Sequence, residues 1–206
     1  SHVQTEGFSA AAAGTEDDAH DATRLSFSAR HRASEALTLG ASAFAQRARS
    51  EYDDWPADAD FEERRHEIGG RLFAEYDVGT VTHEVELTGY RVRREDDNTD
   101  FFGNRVTDEF EGNRVMARYL GSAPASGDTT LSWGAEAGRE IAIAEDFGTH
   151  RAAVGAIFGE AQWAPRDDLD ISASARIDGH EDFERFPTAR LAAAWRATGA
   201  LTLRGA

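Results

Sequence analysis

The stretch RLSFSARHR, from Arg24 to Arg32, decides the fold. In an extended chain Leu25, Phe27 and Ala29 fall on one side, and Arg24, Ser26, Ser28 and Arg30 on the other. A period of two is the signature of a β-strand with one apolar face. The same pattern recurs in both directions of reading. Downstream it places Leu37, Leu39, Ala41, Ala43 and Ala45 on one face of a second strand, then Ile68, Gly70, Leu72, Ala74 and Tyr76, then Val81, His83, Val85 and Leu87. It continues with Val115, Ala117 and Tyr119; Leu131, Trp133, Ala135 and Ala137; Ile157, Gly159, Ala161 and Trp163; Leu169 to Ile177; and Leu191, Ala193 and Trp195. Leu201 and Leu203 begin one more. About ten strands are predicted, in an all-β chain with no composition break dividing residues 1–206.

The connections alternate as regularly as the side chains. Tight turns are predicted at Arg32–Glu35, Asp77–Thr80, Gly121–Asp128, Pro165–Asp168 and Ala197–Ala200, on small, polar and turn-forming residues. Longer loops fall between them, at about Gly14–Asp21, Glu51–Arg65, Arg94–Arg105, Ile143–His150 and His180–Pro187. Short turns on one edge and long loops on the other are the habit of up-and-down transmembrane barrels. The hairpin period of roughly 45 residues also matches a propeller blade, but the Gly-His and Trp-Asp signatures of such blades are missing.

Alternation alone does not say whether the apolar face meets a soluble core or lipid. Three features favour lipid. The apolar face is rich in Ala and Gly, which fill a small core poorly. The other face carries both signs along whole strands, including Arg71, Glu84, Glu86, Arg118, Glu136 and Arg176, which suits a hydrated lumen. Arg71, Glu136 and Arg176 are therefore expected on the concave side of the sheet, opposite Leu72, Ala135 and Ile177. Finally, the last apolar-face residue before each short turn is His31, Tyr76, Tyr119, Trp163 or Trp195. Strand propensity would scatter aromatics along a strand; a membrane-interface girdle gathers them at one end, where the ring is buried and its polar atom stays wet.

Composition sets outer bounds. No run approaches the roughly 18 apolar residues of a membrane helix. A formal charge of -16 argues against a nucleic-acid partner, which requires clustered Lys and Arg. With no cysteine, thiol nucleophiles and Cys-ligated zinc are excluded. There is no Gly-x-Ser-x-Gly elbow and no His-x-x-x-His pair, so no catalytic residue, metal ligand or cofactor is assigned. The run Asp178-Gly-His-Glu-Asp182 crowds carboxylates with an imidazole, but reads as a solvated loop tip. In the acidic stretch Glu51 to Glu63, Asp58 and Asp60 suggest the start of a calcium loop without the turn glycine and distal ligand of an EF-hand.

The segment from Phe158 to Trp163, the strand Leu169 to Asp178 ending in Arg-x-Asp, and the strand Pro187 to Trp195 together resemble the barrel of TonB-dependent outer-membrane receptors. The opening Gly7 to Ala19 looks like an earlier strand and loop of the same barrels. The resemblance implies a Gram-negative outer membrane, a barrel of about 22 strands of which this chain supplies part, and import of a scarce ligand such as a ferric siderophore or cobalamin. It also implies a plug and an energy-coupling segment, lying in a missing N-terminal region, that meets the inner-membrane TonB complex. Trp55, Phe101 and Phe102 in the long loops are the residues expected to contact ligand, and calcium in acidic outer loops is known from cobalamin-type members. Outer-membrane lipid is the other expected partner. A passive porin or structural envelope barrel is the competing reading, and a soluble β protein the third.

Overall fold

Alternating side chains hold each segment extended, and in hydrocarbon every backbone N–H and C=O must find a partner on a neighbouring strand. A computed structural model of the chain, describing residues 1–7, 17–53, 61–99 and 104–206, has eleven strands. They are β1 (His2–Thr5), β2 (His20–Arg32), β3 (Leu37–Tyr52), β4 (Phe61–Val78), β5 (Val81–Thr99), β6 (Arg105–Ser126), β7 (Thr129–Ala144), β8 (Gly148–Arg166), β9 (Leu169–His180), β10 (Phe183–Thr198) and β11 (Leu201–Gly205). They form one sheet in chain order, each pair antiparallel.

Several boundaries differ from the sequence expectation. β1 lies at His2–Thr5, ahead of the Gly7–Ala19 segment, whose residues 8–16 are outside the described part. The turn expected at Gly121–Asp128 is confined to Gly127 and Asp128, because β6 continues to Ser126. Pro124 is tolerated there because the register shifts between Pro124 and Ser126, and a bulge does not require its missing N–H. Phe61–Arg65 and Arg94–Thr99 belong to β4 and β5, so the loops they were assigned to are shorter. The β4–β5 turn opens on Gly79 at φ 61°, a left-handed conformation that glycine adopts without steric cost.

Strand tilt can be read from the register. The cross-strand rung through Tyr76 passes His83, Gly121, Trp133, Gly159 and Ala175 to reach Ala189 of β10. The short turn opens three residues after Tyr76, at Gly79, but ten after Ala189, at Gly199. The turn edge thus slips seven residues across six strand steps. At about 3.3 Å per residue and about 4.8 Å between strands, that slip is a tilt of about 40°, inside the range of about 35–45° that closed barrels require.

The apolar face is not a core. Among the described residues the buried apolar side chains are Ala48, Phe61, Ala152 and Ala156, and no large side chain is fully buried. A soluble domain of this size buries most of its apolar surface, whereas here Leu25, Phe27, Ile157 and Leu191 stand out from the sheet. On the opposite face the side chains are more enclosed, with Glu67 11% and Glu86 14% exposed. Splayed apolar side chains on one face and crowded polar ones on the other are what a sheet curved around the polar face produces.

Glycine positions tighten that polar face. Gly40 faces Phe73, Gly69 faces Phe44 and Gly134 faces Phe158 across strand pairs. A Cβ on those glycines would stand 2.0, 2.5 and 2.4 Å from the respective rings. Each ring therefore lies flat over the neighbouring backbone, a glycine cover known to rescue strand stability.

Candidate functional site

The polar face carries clusters of charge pairs set between those rings. Arg71 bonds Glu86 and reaches Glu84 at 3.3 Å. Arg176 meets Glu136 at 2.9 Å and Asp178 at 2.8 Å, while Arg118 approaches Glu136 from the other side at 3.8 Å. Arg24 lies 4.0 Å above the Phe44 ring and Arg71 4.4 Å above Phe73. Arg71, Glu136 and Arg176 thus share the more enclosed face. Guanidinium stacked on a ring and paired to a carboxylate gives the face order without an apolar core.

Towards the long-loop edge the same face opens into a groove of about 420 Å³, lined by Tyr90, Phe110, Arg114, Glu140, His150 and Phe183 among others. Two strands place its charges: Arg114 and Glu140 pair at 3.2 Å across β6 and β7. This lining offers ring faces, the Arg114 guanidinium and the carboxylates of Glu140 and Asp182 to a polar ligand. The Asp178–Asp182 run divides here: Asp178 binds Arg176, while Asp182 binds His150 at 2.9 Å. Among the described residues no group of three His, Asp or Glu could hold a metal ion. Trp55, Phe101 and Phe102, with Asp58 and Asp60, lie outside the described residues.

On the apolar face, position relative to the tilted edge can be counted. Trp163 and Trp195 each stand four residues before their turn, Tyr76 three and His31 two. Trp195 donates its indole N–H to Asp168 in the neighbouring turn, 2.9 Å away. Tyr119 stands eight residues before Gly127, about 10 Å deeper into the apolar band at this tilt. Its hydroxyl shares a 2.8 Å hydrogen bond with His83 Nδ1, and the two rings stack at 6.0 Å. A phenol at that depth has a protein partner where headgroups cannot supply one.

Sequence reading missed a second row at the other end of the band. Arg47, Arg91 and Arg139 each stand eleven residues beyond the last residue of a short turn, Ala36, Thr80 and Asp128. Each follows five outward side chains: Leu37 to Ala45, Val81 to Gly89 and Thr129 to Ala137. The signal was available as arginine at the sixth outward place in three alternate strands. Farther from the band the outward face becomes an ion-pair ladder. Arg49 pairs with Glu62 at 2.5 Å and with Glu51 at 3.1 Å, Arg64 with Glu62, and Arg93 with Glu95 and Glu109, both at 3.1 Å. There the Asp97 carboxyl is held below its usual range, first by the hydrogen bond from Thr107 and then by Arg64 and Arg105, against some desolvation.

Solved structures that superimpose on this chain include two siderophore receptors and a peptide transporter. A variant of the ferric enterobactin receptor PfeA of Pseudomonas aeruginosa superimposes with a TM-score of 0.79 at 12% identity, over 96% of this chain and 34% of that one. The siderophore receptor PirA of Acinetobacter baumannii gives 0.76 at 12% identity over 98% and 36%. The RagAB peptide transporter gives 0.64 at 11% over 88% and 31%. This chain spans about a third of the length of each, and identities this low speak for fold alone. No curated protein matches. The family model described as TonB dependent receptor-like, beta-barrel matches residues 3–206. With that match running through all eleven strands, the chain belongs to the TonB-dependent receptor β-barrel family, a transport family of the Gram-negative outer membrane and not a family of enzymes.

Proposed function

We propose that this wall segment serves an active importer of a scarce ligand, with a ferric siderophore as the leading class and cobalamin as the other member of that class of cargo. The observation that carries the reading is the family match over residues 3–206. The names of the superimposed siderophore receptors favour an iron chelate. The ligand approaches from the long-loop edge, where the Tyr90–Phe110 groove opens, and Trp55, Phe101 and Phe102 of the long loops supply it with stacking area. Energy comes from the inner-membrane TonB complex through a region that precedes the barrel. On the membrane side, Tyr76, Trp163 and Trp195 serve as an interfacial girdle beside the short turns, with Tyr119 on the same face but deeper.

A peptide cargo is the second reading, favoured by the superposition on a peptide transporter. One assay separates these and the passive-porin alternative. A strain lacking the full-length gene is complemented and offered labelled ferric catecholate, ferric hydroxamate, cyanocobalamin and oligopeptide. Uptake of one iron chelate, abolished by a protonophore, is expected. Uptake that persists without proton-motive force would make the barrel a porin. In the full-length protein, Trp55→Ala together with Phe101→Ala and Phe102→Ala should weaken ligand binding about tenfold or more, the range for aromatic anchors. Unchanged affinity would remove those residues from the site.

A further inference from the structure

The arginine row at the upper boundary of the apolar band has no counterpart in the import reading, and its geometry is regular enough to ask what it holds. From Leu37 to Arg47 is ten steps along β3, about 25 Å of height at the tilt found above. That is the height of the apolar band of an outer-membrane barrel, so Arg47, Arg91 and Arg139 stand where hydrocarbon gives way to headgroups on the long-loop side. Alternate strands lie about 10 Å apart, close enough for the long side chains of Arg47 and Arg91 to converge.

Charge order on this face follows height. The row nearest the band is cationic, and the carboxylates Glu51, Glu62, Glu95 and Glu109 lie one or two rows farther out, where they hold Arg49, Arg64 and Arg93. Arg91 is bonded to Glu111 at 2.6 Å. Arg47 and Arg139 have no ion pair or hydrogen bond among the described residues. Between Arg47 and Arg91 the surface sinks into a groove of about 630 Å³, with Leu25, Ala45 and Ile68 along its floor and Arg47, His66, Arg91 and the Arg93–Glu95 pair towards its outer end. An apolar trough ending in cations fits an amphiphile with a hydrocarbon tail and an anionic head. It does not fit a free anion, which has no use for Leu25 and Ile68.

We propose that this row is a lipid-binding site: the groove seats one acyl chain of a phosphate-bearing lipid of the long-loop leaflet, and Arg47 and Arg91 take its phosphate, while Arg139 binds a second headgroup farther round the wall. Guanidinium matches phosphate oxygens two at a time and is weakly hydrated, which suits a boundary position.

The test uses the full-length protein in lipid nanodiscs of phosphatidylcholine, with spin-labelled phosphatidylglycerol and spin-labelled phosphatidylcholine as probes. Three variants are compared: Arg47→Gln/Arg91→Gln/Arg139→Gln, the same three positions changed to Lys, and Arg190→Gln on the polar face. Preference for phosphatidylglycerol should fall about fivefold for each arginine removed. It should survive largely in the Lys variant and fully in Arg190→Gln. Heat-modifiable gel mobility checks that each barrel has assembled, and Arg139→Gln alone replaces the triple variant if that fails to fold. A preference unchanged in the Gln variants, or lowered equally by Arg190→Gln, overturns the proposal. So does loss of the preference to millimolar inorganic phosphate, which would make the row a site for free anions.

Discussion

The two faces of this sheet solve one problem by opposite means. On the polar face nearly every large side chain is engaged, as Arg176 is with Glu136 and Asp178 and Phe73 is with Gly40 and Arg71. On the apolar face Leu72 and Ile68 touch little protein, each being 58% exposed. Equal exposure conceals unequal depth. Ile68 stands eleven residues from its short turn, level with the arginine row, while Leu72 stands seven away, in mid-band. The difference teaches that polar-face stability resides in specific contacts, whereas apolar-face stability depends on distance from the membrane boundary. Side-chain accessibility reports the first and misses the second.

The largest effect should therefore come from a charge placed deep in the band. Leu72→Arg is expected to destabilise the barrel by about 2–4 kcal/mol, and Ile68→Arg, at the same exposure, by about 0–1 kcal/mol. Urea titration of the full-length protein refolded into vesicles measures both. Equal losses at the two depths would mean that the apolar face is not graded by lipid.

A smaller contrast sharpens the view of contact on the polar face. Gly40→Ala puts a methyl 2.0 Å from the Phe73 ring, so the ring and the Arg71 above it must move. A loss of about 1–3 kcal/mol is expected, as for overpacking elsewhere. Gly89→Ala, on the outward face with nothing within 4 Å, should change stability by no more than about 0.5 kcal/mol. If both alanines are silent in the same titration, the rings do not seal the backbone.

The smallest contrast concerns two phenols on one face. Tyr119→Phe removes the partner of His83 inside the band and should cost about 0.6 kcal/mol, the average for hydrogen bonds between membrane segments, and no more than about 1.7 kcal/mol. Tyr76→Phe, beside the turn, loses only a contact with water or headgroups and should be nearly neutral. A larger loss at Tyr76 would invert the depth order of the two residues.

Legibility in the sequence followed the membrane. Within the band, where one face meets lipid and the other water, alternation named the correct face for Leu25, Leu72, Ile157 and Leu191 on one side and for Arg71, Glu136 and Arg176 on the other. Beyond the band both faces meet water and the binary pattern ends. Glu62, Arg64, Arg94 and Glu95 accordingly read as loop although they continue β4 and β5. Gly121 to Ser126 read as a turn because Gly, Ser and Pro crowd there, yet the hairpin closes on Gly127 and Asp128 alone. Tyr119 read as level with Tyr76 because its depth depends on how far β6 runs past it. The arginine row was open to the same counting, but requires the turns to be placed to the residue before the three positions coincide.

Strand order that repeats chain order has a consequence for how such a wall can change in size. Each strand from β2 to β10 is bonded to the strands before and after it in the chain, and no described strand pairs with any other. Cutting out two consecutive strands with their short turn, such as β6 and β7, would bring β5 beside β8. Those two run in opposite directions, as β6 and β7 do, so the new neighbours could pair antiparallel. Removal of a single strand would bring parallel neighbours together and leave the ladder mismatched. The hairpin is thus the smallest piece this architecture can gain or lose, and barrels of even strand number are what growth by that unit produces.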